Sequence, residues 1–576
     1  PTPRRMVRVP EVIHLGRTLE EDAMTEQTPE DPGAPSDREL RKLSPFELKD
    51  ALLQVADEAV KTREAVMLNA GRGNPNWIAT TPREAFFLLG QFALAESRRA
   101  WDEPGVGLAG MPRSPGIARR LHDFLDASDD EPAVQLLRGA LTYGEHTLGF
   151  NPDRFVWELT DAIIGDNYPV PGRMLPHAER IVQEYLAREL FAGRPPSGRF
   201  DLFAVEGGTA GMTYLFHSLV VNGLLHKGDT LALGSPLITP YLAIPRLEEL
   251  QLRTVDIQQS ATTKDGRHTW QYPDAELRKL EDPRIKAFFV VNPSNPGGVA
   301  MRKESVHKLV ELVRKRRPDL LIITDDVYGT FVNGFRSLAA DLPRNTLLVY
   351  SYSKHFGCTG WRLGVVALHE DNILDEMLAK QPAKVRARLE ARYGAIALHP
   401  GRLKFIDRMV ADSRAVALNH TAGLSLPQQL QMTLFSLFSL LDKDGVYKQR
   451  CQRICQDRLQ ALFEGMGLPL HTDPLRTAYY QTLDLEAWCR EHLGEDFVRF
   501  VREHHDPLDI VFTLARRHGV VLLNGSGFDG PPWSARVSLA NSEDDTYHRI
   551  GRDLRDEVRR AIDAWKKSRG EPPALH

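Results

Sequence analysis

Cysteine is scarce. Four residues in 576, Cys358, Cys451, Cys455 and Cys489, are too few and too irregularly spaced for a disulfide framework or a zinc ribbon. Reduced thiols in a cytosolic protein are the reading left, and no metal-ligand pattern stands out. Long apolar runs are missing too. No window approaches 18 consecutive apolar residues, and the opening PTPRRMVRVPEVIHLG lacks the apolar stretch of a signal peptide, so a soluble, cytoplasmic protein is expected. Nor does one sign of charge prevail. Against 77 Asp and Glu stand 73 Lys and Arg, a net charge of −4, which provides no long-range positive field to hold nucleic acid or an anionic membrane. There is no internal repeat. What is present is an ordinary globular mixture, 42% hydrophobic and 26% charged, in a chain long enough for more than one structural unit.

Residues 1–42 mix charge, Pro and Gly without apolar periodicity and read as a flexible tail. Ser44-Pro45-Phe46-Glu47 has the form of a helix start, with Ser44 as N-cap, Pro45 in the first turn and Glu47 closing a capping box. Residues 43–165 then read as the N-terminal part of a small domain with a helical insertion. Between 166 and 425 short β-rich runs alternate with amphipathic helical stretches such as 209–225. The runs are LFAV (202–205), DTLAL (229–233), IKAFFVV (285–291), LLIIT (320–324), TLLVY (346–350) and GVVAL (364–368). That alternation predicts an α/β domain whose mostly parallel sheet is covered on both faces. Over 426–576 the pattern changes. Helical stretches at 428–441, 445–465 and 543–566 bracket strand-like AYYQTL (478–483), GVVLLN (519–524) and ARVSLA (535–540), which suits a smaller α+β domain.

Strand after strand in the middle region ends in a polar cluster, and open α/β sheets bind ligands beyond the carboxyl ends of their strands. LFAV runs into Glu206-Gly207-Gly208-Thr209 and a helix, whose first N–H groups can face an anion. FFVV runs into Asn292-Pro293-Ser294-Asn295-Pro296-Gly297-Gly298, a turn able to aim an Asn back at the sheet. LLIIT runs into Asp325-Asp326-Val327-Tyr328, placing a carboxylate where it can hold a buried positive charge. TLLVY runs into Ser351-Tyr352-Ser353-Lys354, with Arg362 eight residues beyond the lysine. Each cluster alone is equally read as a turn without duties or a solvated charge; their joint order is what carries information.

In that order, NPSNPGG, then DDVY 30 residues later, then SYSKHFGCTGWRLG and finally RVSLAN, the clusters resemble the aspartate aminotransferase superfamily of fold-type I pyridoxal-phosphate enzymes. The likeness covers roughly residues 66–576, and departs at Gly297-Gly298, where relatives usually carry Thr-Gly. It implies pyridoxal 5′-phosphate as cofactor, a large domain with a seven-stranded, mostly parallel sheet and a smaller α+β domain. It implies Lys354 as the lysine that joins the cofactor aldehyde and then moves the substrate Cα proton. Asp325 would pair with the pyridine nitrogen, and Tyr328 and Asn295 with the ring 3′ oxygen. The phosphate would fall to Gly208, Thr209, Ser351 and Arg362, and to Tyr168 of a neighbouring subunit. Arg536 matches the arginine that grips the substrate α-carboxylate, for which a bidentate fork is suited. Arg72, in Leu68-Asn69-Ala70-Gly71-Arg72-Gly73-Asn74-Pro75-Asn76, lies where relatives close a loop over the substrate, and is the candidate for a side-chain carboxylate.

Two spacings are long for a simple aminotransferase, 95 residues from Gly73 to Tyr168 and 182 from Lys354 to Arg536. The extra material lies near 80–160 and 370–425. Together with LNAGRGNPNW, EGGTAGM and TDDVYGTF it resembles the bacterial aspartate 4-decarboxylases, which implies conversion of L-aspartate to L-alanine and CO2 through a ketimine. A side aminotransferase activity, and a closed homo-oligomer with shared active sites of up to a dodecamer, follow from the same likeness. An aspartate or aromatic aminotransferase carrying insertions is the alternative. A transcription regulator on the same fold would need a basic winged-helix module, and the first 65 residues show none.

Overall fold

The computed structural model describes residues 45–61, 67–168, 172–248, 250–264, 266–416 and 423–572. The expected tail and the Ser44 cap fall outside these residues. A helix does begin at Pro45 and runs to Lys61.

Seven strands form the large sheet: β1 (Phe200–Val205), β2 (Thr230–Ser235), β3 (Arg253–Gln258), β4 (Ile285–Val291), β5 (Leu321–Asp325), β6 (Thr346–Ser351) and β7 (Gly364–His369). Their spatial order is β1-β7-β6-β5-β4-β2-β3. Neighbours from β6 through β3 pair in parallel, while β7 runs antiparallel to both β1 and β6, with Gly364 opposite Val205 and Ser351. The expected α/β class and mostly parallel seven-stranded sheet are therefore what the chain forms. The apolar runs are near continuous because helices cover both faces: β5 and β6 are buried at every position. One face packs Tyr185, Leu186, Tyr352 and Phe356; the other packs Phe288, Leu309, Val313 and Ile322. Six strands lie within a residue or two of their expected limits. The edge strand β3, reading RTVDIQ, has no such expectation, because it buries little beyond Val255 and Ile257 and its polar alternation matches a loop as well as an edge.

The first insertion folds into helices Thr81–Ala100, Ile117–Asp126, Pro132–Thr142 and Pro152–Ile164. Their apolar stripes (Leu89, Phe92, Leu125, Leu137, Phe155) share a core with Leu430, Leu434 and Leu437 of helix Leu426–Leu441. The second insertion provides helices Ala383–Tyr393 and Phe405–Ser413. In the C-terminal part β8 (Tyr480–Asp484), β9 (Leu523–Asn524) and β10 (Ser534–Ser538) form an antiparallel sheet in the order β8-β10-β9. Helices Val446–Met466 and Asp544–Ser568 cross closely at Gly465 and Gly551, where a Cβ would lie 2.1 Å from the His548 and Leu462 carbonyl oxygens. A short parallel pairing of Leu68–Asn69 with Val520–Val521 then delivers the loop that follows, residues 70–76, to this C-terminal sheet.

Candidate active site

The carboxyl ends of β5 and β6 and the turn after β4 converge with β8, β10 and the 70–76 loop. At the end of β5 the Asp325 carboxylate is buried; it accepts from the Tyr241 hydroxyl at 2.6 Å and from the Val327 N–H at 3.1 Å. Burial pushes its pKa up to about 6, against the pull of those two hydrogen bonds and of the Lys354 charge. Three residues past the end of β6, Lys354 donates from Nζ to the Gly73 carbonyl at 2.9 Å. Asn295 Nδ2 donates to the Tyr328 hydroxyl at 3.2 Å, and that hydroxyl donates to Tyr480 at 3.2 Å.

Beside β1 the helix Gly208–Val221 begins directly after Gly207. Gly207 has φ +90°, and a Cβ there would meet Arg362 Nη2 at 2.2 Å, so the turn admits no side chain beneath the guanidinium. Arg362 itself donates to the Glu206 and Thr359 carbonyls. The hydroxyl of Ser351 donates to Ser353 at 2.9 Å, and Thr209 is exposed at the helix start next to the Tyr241 hydroxyl. Free N–H groups at a helix start, a guanidinium and two hydroxyls form a cradle for a dianionic phosphate.

Arg536, on β10, is 5% exposed. Its Nη2 donates to the Gly71 carbonyl at 2.8 Å and its Nη1 to Asn295 Oδ1 at 3.2 Å, while Nε is buried without a partner. The guanidinium lies 4.4 Å from the Tyr480 ring centroid and 4.9 Å from that of Phe528. It meets no carboxylate among the described residues. A buried cation with one orphaned donor calls for an anion. Arg72 is exposed in the loop whose Gly71 and Gly73 carbonyls are held by Arg536 and Lys354, and Tyr479 also donates to Gly73 at 2.8 Å. Tyr168, at 71% exposure, stands on the surface.

This donor set fits pyridoxal phosphate: an amine, a buried carboxylate short of a cation, a phenol and an amide side by side, and an anion cradle. A Cβ on Gly208 would sit 3.4 Å from the Tyr241 hydroxyl and 3.8 Å from Asp325 Oδ2, so the bare glycine keeps the space between helix start and carboxylate open. Sequence reading brings together Lys354, Asp325, Tyr328, Asn295 and Arg536. It misses Tyr241, Tyr479, Tyr480 and Phe528. The signal for the tyrosines at 479 and 480 lay in AYYQTL, but the run does not show that Tyr479 precedes β8, which leaves the two rings 5.0 Å apart and both at the site.

Residues 218–552 match the family described as aminotransferase class I and II. The chain belongs to that family. Class I and II aminotransferases are pyridoxal-phosphate enzymes, so the cofactor follows from membership as well as from the donor set. Among curated relatives, a bifunctional aspartate aminotransferase and L-aspartate beta-decarboxylase of Pseudomonas sp. is 48% identical over 519 residues, covering 90% of this chain and 96% of the relative. Two solved structures share the fold. A double mutant of Thermus thermophilus aspartate aminotransferase superposes with a TM-score of 0.54 at 17% identity, covering 91% of this chain and 99% of that one. Rhizobium meliloti aspartate aminotransferase gives 0.52 at 15% identity, covering 90% and 98%.

Proposed function

We propose that this aminotransferase-family chain converts L-aspartate to L-alanine and CO2, with aspartate aminotransferase activity as a side reaction. Similarity to the bifunctional Pseudomonas relative over nearly the whole of both chains carries the reading. The geometry supports it through a buried, unpaired Arg536 beneath a loop that bears the exposed Arg72, two cationic forks for a dicarboxylic acid.

When bound, pyridoxal phosphate supplies an aldehyde for an amine and a protonated ring that draws electrons from the substrate. The chain supplies the rest. Lys354 would hold the cofactor through its aldehyde, and its amine, when free, would move the substrate Cα proton. Asp325 keeps the ring nitrogen protonated, and a cation beside it removes the penalty that burial places on its ionised form. Asn295 and Tyr328 orient the ring through its oxygen. Gly208, Thr209, Ser351 and Arg362 anchor the phosphate, joined by Tyr168 of a neighbouring subunit. Arg536 takes the α-carboxylate, exchanging the Gly71 carbonyl for a charged acceptor. Arg72 faces the β-carboxylate, or its departure as CO2. Displacement of the Gly71 and Gly73 carbonyls frees the 70–76 loop to close over the substrate, and how well it excludes water sets the partition between alanine and hydrolysis to oxaloacetate.

The shared phosphate site makes the active unit a homo-oligomer, and exposed Phe87, Leu94 and Trp157 of the first insertion offer it further surface, in line with a dodecamer. Four unpaired cysteines, three of them buried, suit a cytoplasmic location.

The test supplies L-aspartate without a keto acid. Many equivalents of CO2 and alanine per subunit are expected before a side transamination leaves the amino group on the cofactor and stops turnover, whereas a single equivalent of oxaloacetate per subunit without CO2 makes the protein an aspartate aminotransferase. Arg72→Ala should change the ratio of alanine to oxaloacetate, and Arg536→Ala should depress both by the loss of a buried charge partner, on the order of 3–5 kcal/mol. Equal losses of both products in Arg72→Ala would leave that arginine only a loop-shaping role.

A further inference from the structure

Tyr480 stands at the centre of the cleft and has no part in the roles above. Its ring is 2% exposed and fixed on three sides: by the Arg536 guanidinium at 4.4 Å, and by the rings of Tyr328 and Tyr479 at 5.4 and 5.0 Å, both near perpendicular. Its hydroxyl accepts from Tyr328 at 3.2 Å and, among the described residues, finds no acceptor for its own hydrogen. The hydroxyl is also beside the lysine. A methyl-sized point built on Gly73 lies 2.6 Å from the Tyr480 oxygen and 3.4 Å from Lys354 Nζ. The glycine therefore keeps open a space that the phenol, the amine and the loop all border.

We infer that Tyr480 is a catalytic acid of the decarboxylation, the group that protonates the substrate Cβ after CO2 has left. The inference rests on the proposed aspartate decarboxylation. When the Cβ–carboxylate bond breaks, CO2 leaves without the bonding pair, which remains with the substrate and must be met at Cβ by one proton to make the methyl group of alanine. The Tyr480 hydroxyl supplies that proton. The phenolate left behind is stabilised by the guanidinium over its ring and by the Tyr328 hydroxyl, and recovers its proton from the Lys354 ammonium or from solvent. Transamination needs no proton at Cβ. Tyr480 thus separates the two outcomes of one site, where Arg536 and Lys354 serve both.

The experiment compares Tyr480→Phe with the parent holoenzyme on L-aspartate alone, measuring alanine and oxaloacetate together. The ring under Arg536 is kept, and retention of the cofactor absorption and of the thermal midpoint shows that the variant is folded and loaded. Alanine formation should fall about 100-fold, the scale of a general acid, while oxaloacetate formation changes much less. In deuterium oxide the parent should incorporate deuterium at Cβ in the same step. An unchanged alanine-to-oxaloacetate ratio in Tyr480→Phe overturns the assignment, as does an equal loss of both products. A parent that forms no alanine would instead refute the functional reading on which the assignment depends. Should Tyr480→Phe fail to fold, Tyr480→Leu is read by the same product ratio: a selective loss of alanine with oxaloacetate retained supports the acid, and an unchanged ratio overturns it.

Discussion

Two adjacent carboxyls at the end of β5 share a buried position and have opposite prospects. Asp325 faces the cleft, where the Lys354 charge favours its ionised form. Asp326 is fully buried, accepts from the Thr324 hydroxyl, and leaves Oδ2 without a partner. Burial pushes its pKa up to about 7 from an ordinary 3.8, and the neighbouring Asp325 charge adds to the rise. A carboxyl that binds its proton more tightly folded than unfolded favours the folded state at low pH. Its ionisation costs nothing below about pH 4, costs progressively more between 4 and 7, and costs fully above 7. Asp326→Asn should therefore stabilise the holoenzyme at pH 8 by about 1–3 kcal/mol and leave it nearly unchanged near pH 4.5, measured as the shift in thermal midpoint at the two pH values. An equal shift at both would mean that the buried charge is not what the substitution removes.

The helix Gly208–Val221 links the phosphate cradle to the second insertion. Its far end enters a buried polar cluster in which Asp412 accepts from Ser218 at 2.6 Å, from Asn222 and Arg392 at 3.0 Å, and from the Tyr393 hydroxyl at 2.9 Å. The insertion thereby holds the helix whose first residues are the ones proposed to meet the cofactor phosphate. Asp412→Ala removes this shared acceptor and should cost on the order of 2–3 kcal/mol, because the buried Ser218 hydroxyl loses its acceptor while Arg392 regains water. Cofactor affinity should fall with it; thermal unfolding and a pyridoxal-phosphate titration read the two effects. Undiminished affinity alongside lost stability would confine the cluster to a structural role. At this scale the long strands were legible because burial on both faces writes continuous apolar runs. The edge strand β3 was not, since only its inner neighbour rewards it.

For the whole molecule the issue is which chain completes which site. If Tyr168 serves a neighbour's phosphate, two inactive variants can repair one another. Lys354→Ala and Tyr168→Phe, unfolded or dissociated together and reassembled, should recover up to roughly a quarter of parental activity, since half of random pairs are mixed and each mixed pair holds one intact site. Sedimentation should also show an assembly well above the 64.8 kDa of one chain. No recovery in mixed assemblies, or full activity in a monomer, would place Tyr168 outside the site.

Much of this protein was determined by sequence alone. The order of polar clusters at strand ends singled out Asn295, Asp325, Tyr328, Lys354 and Arg362, and the resemblance of those clusters to the aspartate aminotransferase superfamily gave them and Arg536 their expected roles. Local patterning likewise set the helices and six strands of the large sheet. Only the tertiary structure decided that the 70–76 loop lies on Lys354 and Arg536, that Tyr241 caps Asp325, and that Tyr480 rather than Tyr479 receives the Tyr328 hydroxyl. Those groups come from segments up to several hundred residues apart. Their meeting depends on a two-residue strand pairing and on which face of β8 turns toward the cleft, neither of which leaves a periodic trace in the chain.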